Sequence, residues 1–264
     1  MLLRKLGALV IALGGLLAMS HAANAQTIDD VLAKGSINIG MSLELLPYNF
    51  KNAENQPDGF EVELANLLGK NLGVTVNIVP TNGPDRISFL LTNKIDLVMG
   101  GLSINADRAK QISFSNPYGT IQNGVYAKTG TNITSTADLK GLRVGVPRGS
   151  NQEQLLQEQL GDQVQIMSFP YASTCYQALI TGQVDAIIVA ESAVIQAVEE
   201  TGENNDIEHK YNFTEYPIGF GMRRGQTDLL QWVNTFLFYV QSTGELQGLT
   251  EKWFKRPLGT LGSF

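Results

Sequence analysis

Residues suited to binding chemistry gather in the segment MGGLSINADR, Met99 to Arg108. Arg108 carries a planar fork of N–H donors that matches a carboxylate with two parallel hydrogen bonds, Gly101 permits close backbone approach, and Ser103 adds a hydroxyl donor. Asn105 can cap a helix that brings Arg108 round one turn later. The spacing alone leaves two readings open, a carboxylate clamp or an arginine paired with a surface acid. A second segment suits an anion: GVPRGSNQEQLL, from Gly145 to Leu156. There Ser150 or Asn151 can cap a helix, so that the N–H groups of Asn151 and Gln152 face the loop with the positive end of the helix dipole. The turn lacks the Lys-Ser/Thr ending of a phosphate loop and is no dinucleotide fingerprint; an ordinary capped helix and a small-anion site both remain open.

Other chemistries are thinly supplied. The chain has two histidines, His21 and His209, and His209 lies among Glu208, Lys210 and other polar residues. A multi-histidine metal centre is therefore all but excluded by count, and a histidine-based triad nearly so, since it would have to rest on His209, which reads as a surface residue. The one cysteine, Cys175, cannot form an intrachain disulfide and reads as a small buried apolar side chain. No catalytic residue, metal or cofactor is expected.

Arg4 and Lys5, the apolar run Leu6 to Met19 and the small-residue sequence Ala23-Asn24-Ala25 form a secretory signal peptide, residues 1–25, cleaved near Ala25. The run is short of the roughly 20 apolar residues that span a bilayer as a helix. Of 19 Lys and Arg the leader takes two and of 25 Asp and Glu none, so the exported chain carries 17 − 25 = −8, and nucleic acid is not an expected partner.

Elements of α/β type must position these segments. Strand-length apolar runs alternate with helical ones: strand Ser36–Met41, helix Glu61–Leu72 with Leu64, Leu67, Leu68 and Leu72 on one face, a strand through Val74, Val76 and Ile78, a helix with Ile87, Leu90 and Leu91, and strand Ile95–Met99. The pattern restarts after Tyr126 with strand Leu142–Val146, helix Gln152–Leu160, strand Val164–Met167, helix Ser173–Thr181, strand Asp185–Val189 and a helix to Thr201. A polar stretch, Gly202 to Asn212, leads to a strand at Ile218–Met222, a long helix with Leu229, Val233, Phe236, Leu237 and Val240, and a shorter one with Trp253 and Phe254. Two α/β units are expected.

The segment GFEVELANLLGKNLG, Gly59 to Gly73, resembles the signature of family 3 bacterial extracellular solute-binding proteins, the polar amino-acid group. Similar segments follow in order: KIDLVMGGLSINADR, FSNPY at Phe114–Tyr118, DLKGLRVGVPRGS, LITGQVDA and GELQGLTEKWF. The resemblance implies a two-lobed periplasmic-binding-protein fold of type II, with two hinge strands joining lobe 1 (27–121 plus 217–264) to lobe 2 (122–216). It implies a periplasmic monomer that captures a small carboxylate ligand, foremost a polar amino acid, and delivers it to the membrane permease of an ABC-type importer. Carried over residue by residue, the ligand carboxylate would meet Arg108, Ser103 and Gly101 from lobe 1 and Asn151 with Ser150 and Gln152 from lobe 2, near a wall of Ser42 and Leu45.

Two departures qualify this. Family members that bind an α-amino acid usually hold its ammonium with an aspartate five residues after that of the VDA motif, here Ala190; Glu191 is the neighbour that could substitute or simply point outwards. Leu45 stands where an aromatic ring is common. Arg86 and Arg148 are further cations that either face the cleft or remain solvated. A carboxylic acid without an α-amine (a dicarboxylate, hydroxy or keto acid) and a dehydratase-like enzyme on the same scaffold are the alternatives, as is a sensor reporting to another chain.

Overall fold

The computed structural model describes residues 27–201 and 206–255. The expected signal peptide lies outside the described residues, as do 202–205 of the polar stretch and 256–264 at the end of lobe 1. Thirteen strands occur among the described residues: β1 (Ser36–Met41), β2 (Glu44–Leu45), β3 (Asn49–Lys51), β4 (Pro57–Asp58), β5 (Thr75–Pro80), β6 (Leu97–Val98), β7 (Ile112–Phe114), β8 (Gly119–Lys128), β9 (Arg143–Pro147), β10 (Gln165–Phe169), β11 (Ala186–Ala190), β12 (Ile207–Ile218) and β13 (Gly221–Arg223). Two five-stranded sheets organise them, in the orders β5-β1-β6-β13-β7 and β10-β9-β11-β8-β12.

Each sheet is covered on both faces, which is why its central strands are apolar throughout rather than alternating. In the first, Leu97 belongs to the core built by Ile37, Ile39 and Met41, while the adjacent Val98 points to a second core with Leu90, Ile95 and Leu102. The helix Phe60–Leu72 puts Leu64, Ala65, Leu68 and Leu72 into the first of these cores, joined by Leu229, Val233, Phe236, Leu237 and Val240 of the helix Thr227–Ser242. Each of these leucine, valine and phenylalanine side chains contributes about 1.5 to 3 kcal/mol by its burial. In the second sheet the same division runs along β11, with Ala186 and Ile188 on one side and Ile187 and Val189 on the other.

The chain passes from the first sheet into the second along β8 and returns along β12. These two long strands pair antiparallel from Gly119 with Ile218 to Lys128 with Ile207, and Ile218 also bridges to Ser103. The crossing strands thus lie beside the carboxyl ends of β6 and β11, where loops of both lobes converge.

Most elements start and end within a few residues of the sequence reading. The strand expected at Ile218–Met222 is instead divided between β12 over Ile207–Ile218 and β13 over Gly221–Arg223, and the helix Ile28–Lys34, β7 and β8 have no counterpart among the elements expected from periodicity. β12 is a sheet edge paired only with β8, so its outward side chains are solvated and the segment reads as polar. The small sheet β2-β3-β4 was also not anticipated, since strands of two or three residues show no usable alternation.

Candidate functional site: a charged cleft between the lobes

Between the lobes, at the carboxyl ends of β1, β6, β9 and β11, lies a cleft of about 100 Å³. In α/β sheets ligands sit beyond the carboxyl ends of strands. One ordered water needs about 10–15 Å³, so the space suits a small solute. Ser42, Leu45, Arg86, Gly101, Ser103, Arg108, Arg148, Ser150, Asn151 and Gln152 all line it. Glu191 does not: it is exposed at the start of the helix Glu191–Thr201 and lines a separate cavity with Leu46, Tyr48 and Trp253. Ala190, the last residue of β11, takes the cleft position instead.

The lobe 1 wall is built from ions. Asn105 caps the short helix Ala106–Ala109 by accepting the Arg108 N–H at 2.8 Å, which fixes where that side chain emerges. The Arg108 guanidinium donates to the Ser103 carbonyl at 2.9 Å and, across the cleft, to the Gly149 carbonyl at 3.1 Å. Arg86 donates to the Gly100 carbonyl at 3.2 Å. Burial, and next the charge of Arg86, push the Arg108 pKa down to about 9; burial likewise lowers that of Arg86. Two cations thus face one small space, and Arg108 is met by carbonyls rather than carboxylates. Such a guanidinium is short of countercharge.

Behind this wall lies Glu61, fully buried on the helix Phe60–Leu72. Its carboxylate accepts from the Gly101 N–H at 2.9 Å, from the Tyr118 hydroxyl and from the Asn49 side-chain amide. Burial raises its pKa, while the three donors and Arg86 oppose that rise. The Gly101 N–H is therefore committed to Glu61 rather than aimed into the cleft. Gly101 serves instead through its shape: with φ at 63°, which L side chains rarely adopt, and Leu45 Cδ2 2.9 Å from where a Cβ would stand, a larger residue would be strained and would push Leu45 aside. The Ser42 hydroxyl donates to Asn49 at 2.9 Å.

The lobe 2 wall is neutral apart from Arg148 at its rim. Ser150 caps the helix Asn151–Leu160, its hydroxyl accepting the Glu153 N–H at 3.2 Å, while the Gly149 N–H donates to the Glu153 carboxylate at 2.6 Å. The N–H groups of Asn151 and Gln152 belong to a first turn, where an α-helix has no internal acceptor for them. The Gln152 side chain donates to Asn123 on β8 at 3.0 Å. Arg148 is exposed at the rim and donates to the Ser168 carbonyl at 3.3 Å.

The two walls touch. Asn105 donates to the Asn151 side chain at 2.6 Å, Gln154 to Asp107 at 2.5 Å, and the Leu46 N–H to Gln196 at 3.1 Å. Gly83 packs so tightly on the Arg148 carbonyl that a Cβ would stand 2.3 Å from it. The lobes are closed on one another.

The cleft also contains residues that sequence reasoning did not single out: Glu44, Asn123 and Tyr171. Glu44 carries a legible signal, a lone acid inside the apolar run SLELL directly after the first strand. One of its carboxylate oxygens, Oε2, is buried without a hydrogen-bond partner, and burial raises its pKa. Outside the cleft, Cys175 is buried, its thiol pushed up to about 12 by burial, and His209 is exposed with its ring against Tyr126.

Comparison with known proteins agrees with the two-lobed fold. The profile of bacterial extracellular solute-binding proteins, family 3, matches residues 37–256. The L-cystine-binding protein TcyJ of Escherichia coli (strain K12) is 31% identical over 251 residues, 94% of this chain and 94% of that one. Among solved structures, the solute receptor for L-cysteine of Neisseria gonorrhoeae is similar with a TM-score of 0.79 at 25% identity, over 86% of this chain and 93% of that one. An ancestral amino acid-binding protein, a precursor of cyclohexadienyl dehydratase, is similar with a TM-score of 0.77 at 31% identity, over 86% of this chain and 99% of that one.

Proposed function

Because this chain belongs to the bacterial extracellular solute-binding proteins of family 3, we propose that it is a periplasmic receptor that closes around a polar amino acid and hands it to the permease of an ABC-type importer. The observation that carries the reading is the pairing across one closed cleft of Arg108, short of countercharge, with the open first turn of the helix Asn151–Leu160. A desolvated carboxylate satisfies both at once: the guanidinium gains an anion, and the Asn151 and Gln152 N–H groups gain an acceptor. Ser103 lies beside them on the lobe 1 wall.

Lobe 1 is assigned to 27–121 plus 217–264 and lobe 2 to 122–216, with β8 and β12 as the hinge. Ligand loads onto the charged lobe 1 wall, and the lobe 2 contacts, made only on closure, drive the lobes together through differential affinity. On this reading the protein acts as a monomer and as a binding protein rather than an enzyme, so amino acid incubated with it should be recovered unchanged in NMR spectra, and turnover would overturn that reading. Among the described residues no helix is long and apolar enough to cross a membrane.

The test is a thermal-shift panel containing L-cystine, L-cysteine, L-arginine and L-glutamine, the first two taken from the relatives above. A ligand at 100 times its Kd stabilises by about 2.7 kcal/mol, which for a chain of this size raises Tm by roughly 5 to 10 °C. A panel in which no amino acid raises Tm, while a dicarboxylate, hydroxy or keto acid does, removes the amino-acid reading.

A further inference from the structure

The cleft has a charge arrangement that the proposed function does not by itself explain. Arg86, Arg108 and Arg148 line it, and Glu44 is the only acid that does so among the described residues. Glu61, the other carboxylate nearby, lies behind the wall with both oxygens engaged. At the end of β11 stands Ala190, which offers a cation nothing, and the adjacent Glu191 lies at the other cavity. An ammonium group taken out of water needs an acceptor, preferably an anion. One group in the cleft is placed to be that acceptor.

We propose that Glu44 is the specificity-determining residue that receives the ligand's ammonium group, so that this charge is read from lobe 1 and not from the end of β11. Three observations converge on it. Glu44 Oε2 is buried and has no hydrogen-bond partner, an arrangement that folded proteins rarely leave unanswered. On the opposite wall the Asn151 Nδ2 donor is likewise buried and unpartnered, so the closed cleft presents one open acceptor and one open donor, the complement of a zwitterion's two ends. Burial also raises the Glu44 pKa with only the charge of Lys51 opposing it, a penalty that a cation brought into contact would relieve. β2, which carries Glu44, pairs with β3, and β3 contributes Asn49, a partner of Ser42 and Glu61. The acceptor is thus tied to the same rigid framework as the arginines.

The proposal rests on the amino-acid reading and goes beyond it. Its test compares each amino acid with its desamino analogue by calorimetry: L-cysteine with 3-mercaptopropanoic acid, L-cystine with 3,3′-dithiodipropanoic acid, L-glutamine with 4-carbamoylbutanoic acid, and L-arginine with 5-guanidinopentanoic acid. Wild type should bind at least one amino acid more tightly than its partner. Glu44→Gln, which keeps the shape and removes the charge, should weaken that amino acid by about tenfold to hundredfold, the range for a lost hydrogen bond to a charged group. It should leave the desamino compound within about threefold, which abolishes the discrimination. If Glu44→Gln discriminates as wild type does, the Glu44 assignment falls and the amino-acid reading stands. If wild type binds the desamino compound as tightly as the amino acid, the assignment is overturned without any variant. If wild type binds no amino acid at all, the reading falls and the assignment with it. Glu44→Ala, measured on the same pairs, serves if the amide variant does not fold.

Discussion

The two walls of the cleft meet the same small space with different materials. Lobe 1 brings Arg86, Arg108 and Glu44, backed by Glu61 and its ring of donors; lobe 2 brings a helix start and amide side chains, with Arg148 out at the rim. Charges in a tight space are costly to desolvate and are kept only where a framework holds them in place. Hence the lobe 1 wall is anchored deep in its core, through a buried carboxylate on the helix Phe60–Leu72 and hydrogen bonds to Gly101, Tyr118 and Asn49. Peptide dipoles are part of the helix and need no such framework. The division suits a receptor in which one wall selects and the other closes.

The strongest blow to this contrast should come from behind the charged wall. Glu61→Leu leaves the Gly101 N–H, the Tyr118 hydroxyl and the Asn49 amide without their buried acceptor and Arg86 without the nearby negative charge, a loss on the order of 3 to 5 kcal/mol, read as a fall in Tm of roughly 6 to 20 °C. Gln152→Leu on the other wall breaks one hydrogen bond to Asn123 and should cost about 1 kcal/mol. Equal losses would erase the distinction. Next in size is Arg108→Ala, which should reduce amino-acid affinity by at least about a hundredfold, since removing one partner of a desolvated charge pair costs about 3 kcal/mol or more. Because it also relieves the repulsion with Arg86, the ligand-free Tm should move by no more than about 2 °C. Affinity within threefold of wild type would show that the clamp lies elsewhere.

Acidification should have a smaller effect of a defined sign. An ammonium binds only the ionised Glu44, whose pKa is raised by burial. Affinity therefore holds at pH values above that raised pKa and falls as pH drops through it, toward about tenfold per unit, beginning above the usual glutamate value of about 4.3. Calorimetry from about pH 7 to 4 should show this fall in wild type and a flatter profile in Glu44→Gln.

The sequence made the cleft-lining turns of both walls legible for a physical reason: tight turns and helix starts need special residues, and Gly-Gly after a strand or Ser-Asn before a helix announces them. Direction was not legible. Arg86 and Arg148 look alike in the sequence, yet one bonds to Gly100 inside the cleft and the other to Ser168 at the rim. Glu61 was overlooked although its spacing to Leu64, Ala65, Leu68 and Leu72 places it on the apolar face of its own helix, where an acid is out of keeping unless donors surround it. Glu44 was overlooked because β2 is two residues long and shows no periodicity. Both omissions are acids in apolar settings, residues whose role depends on partners distant in the chain.

The mildest change tests how little the neutral wall depends on any one side chain. Ser150→Ala removes the hydroxyl that accepts the Glu153 N–H but leaves the Glu153 carboxylate on the Gly149 N–H and the Asn151 and Gln152 N–H groups in the first turn. Loss of a serine cap costs about 1 kcal/mol, or roughly 2 to 4 °C in Tm. Amino-acid affinity should change by less than about fivefold, because the groups proposed to meet the carboxylate are backbone and survive the substitution. If Ser150→Ala instead lowered affinity as far as Arg108→Ala does, its hydroxyl would have to be a ligand contact in its own right. Selection would then be shared by both walls, and lobe 2 would do more than close.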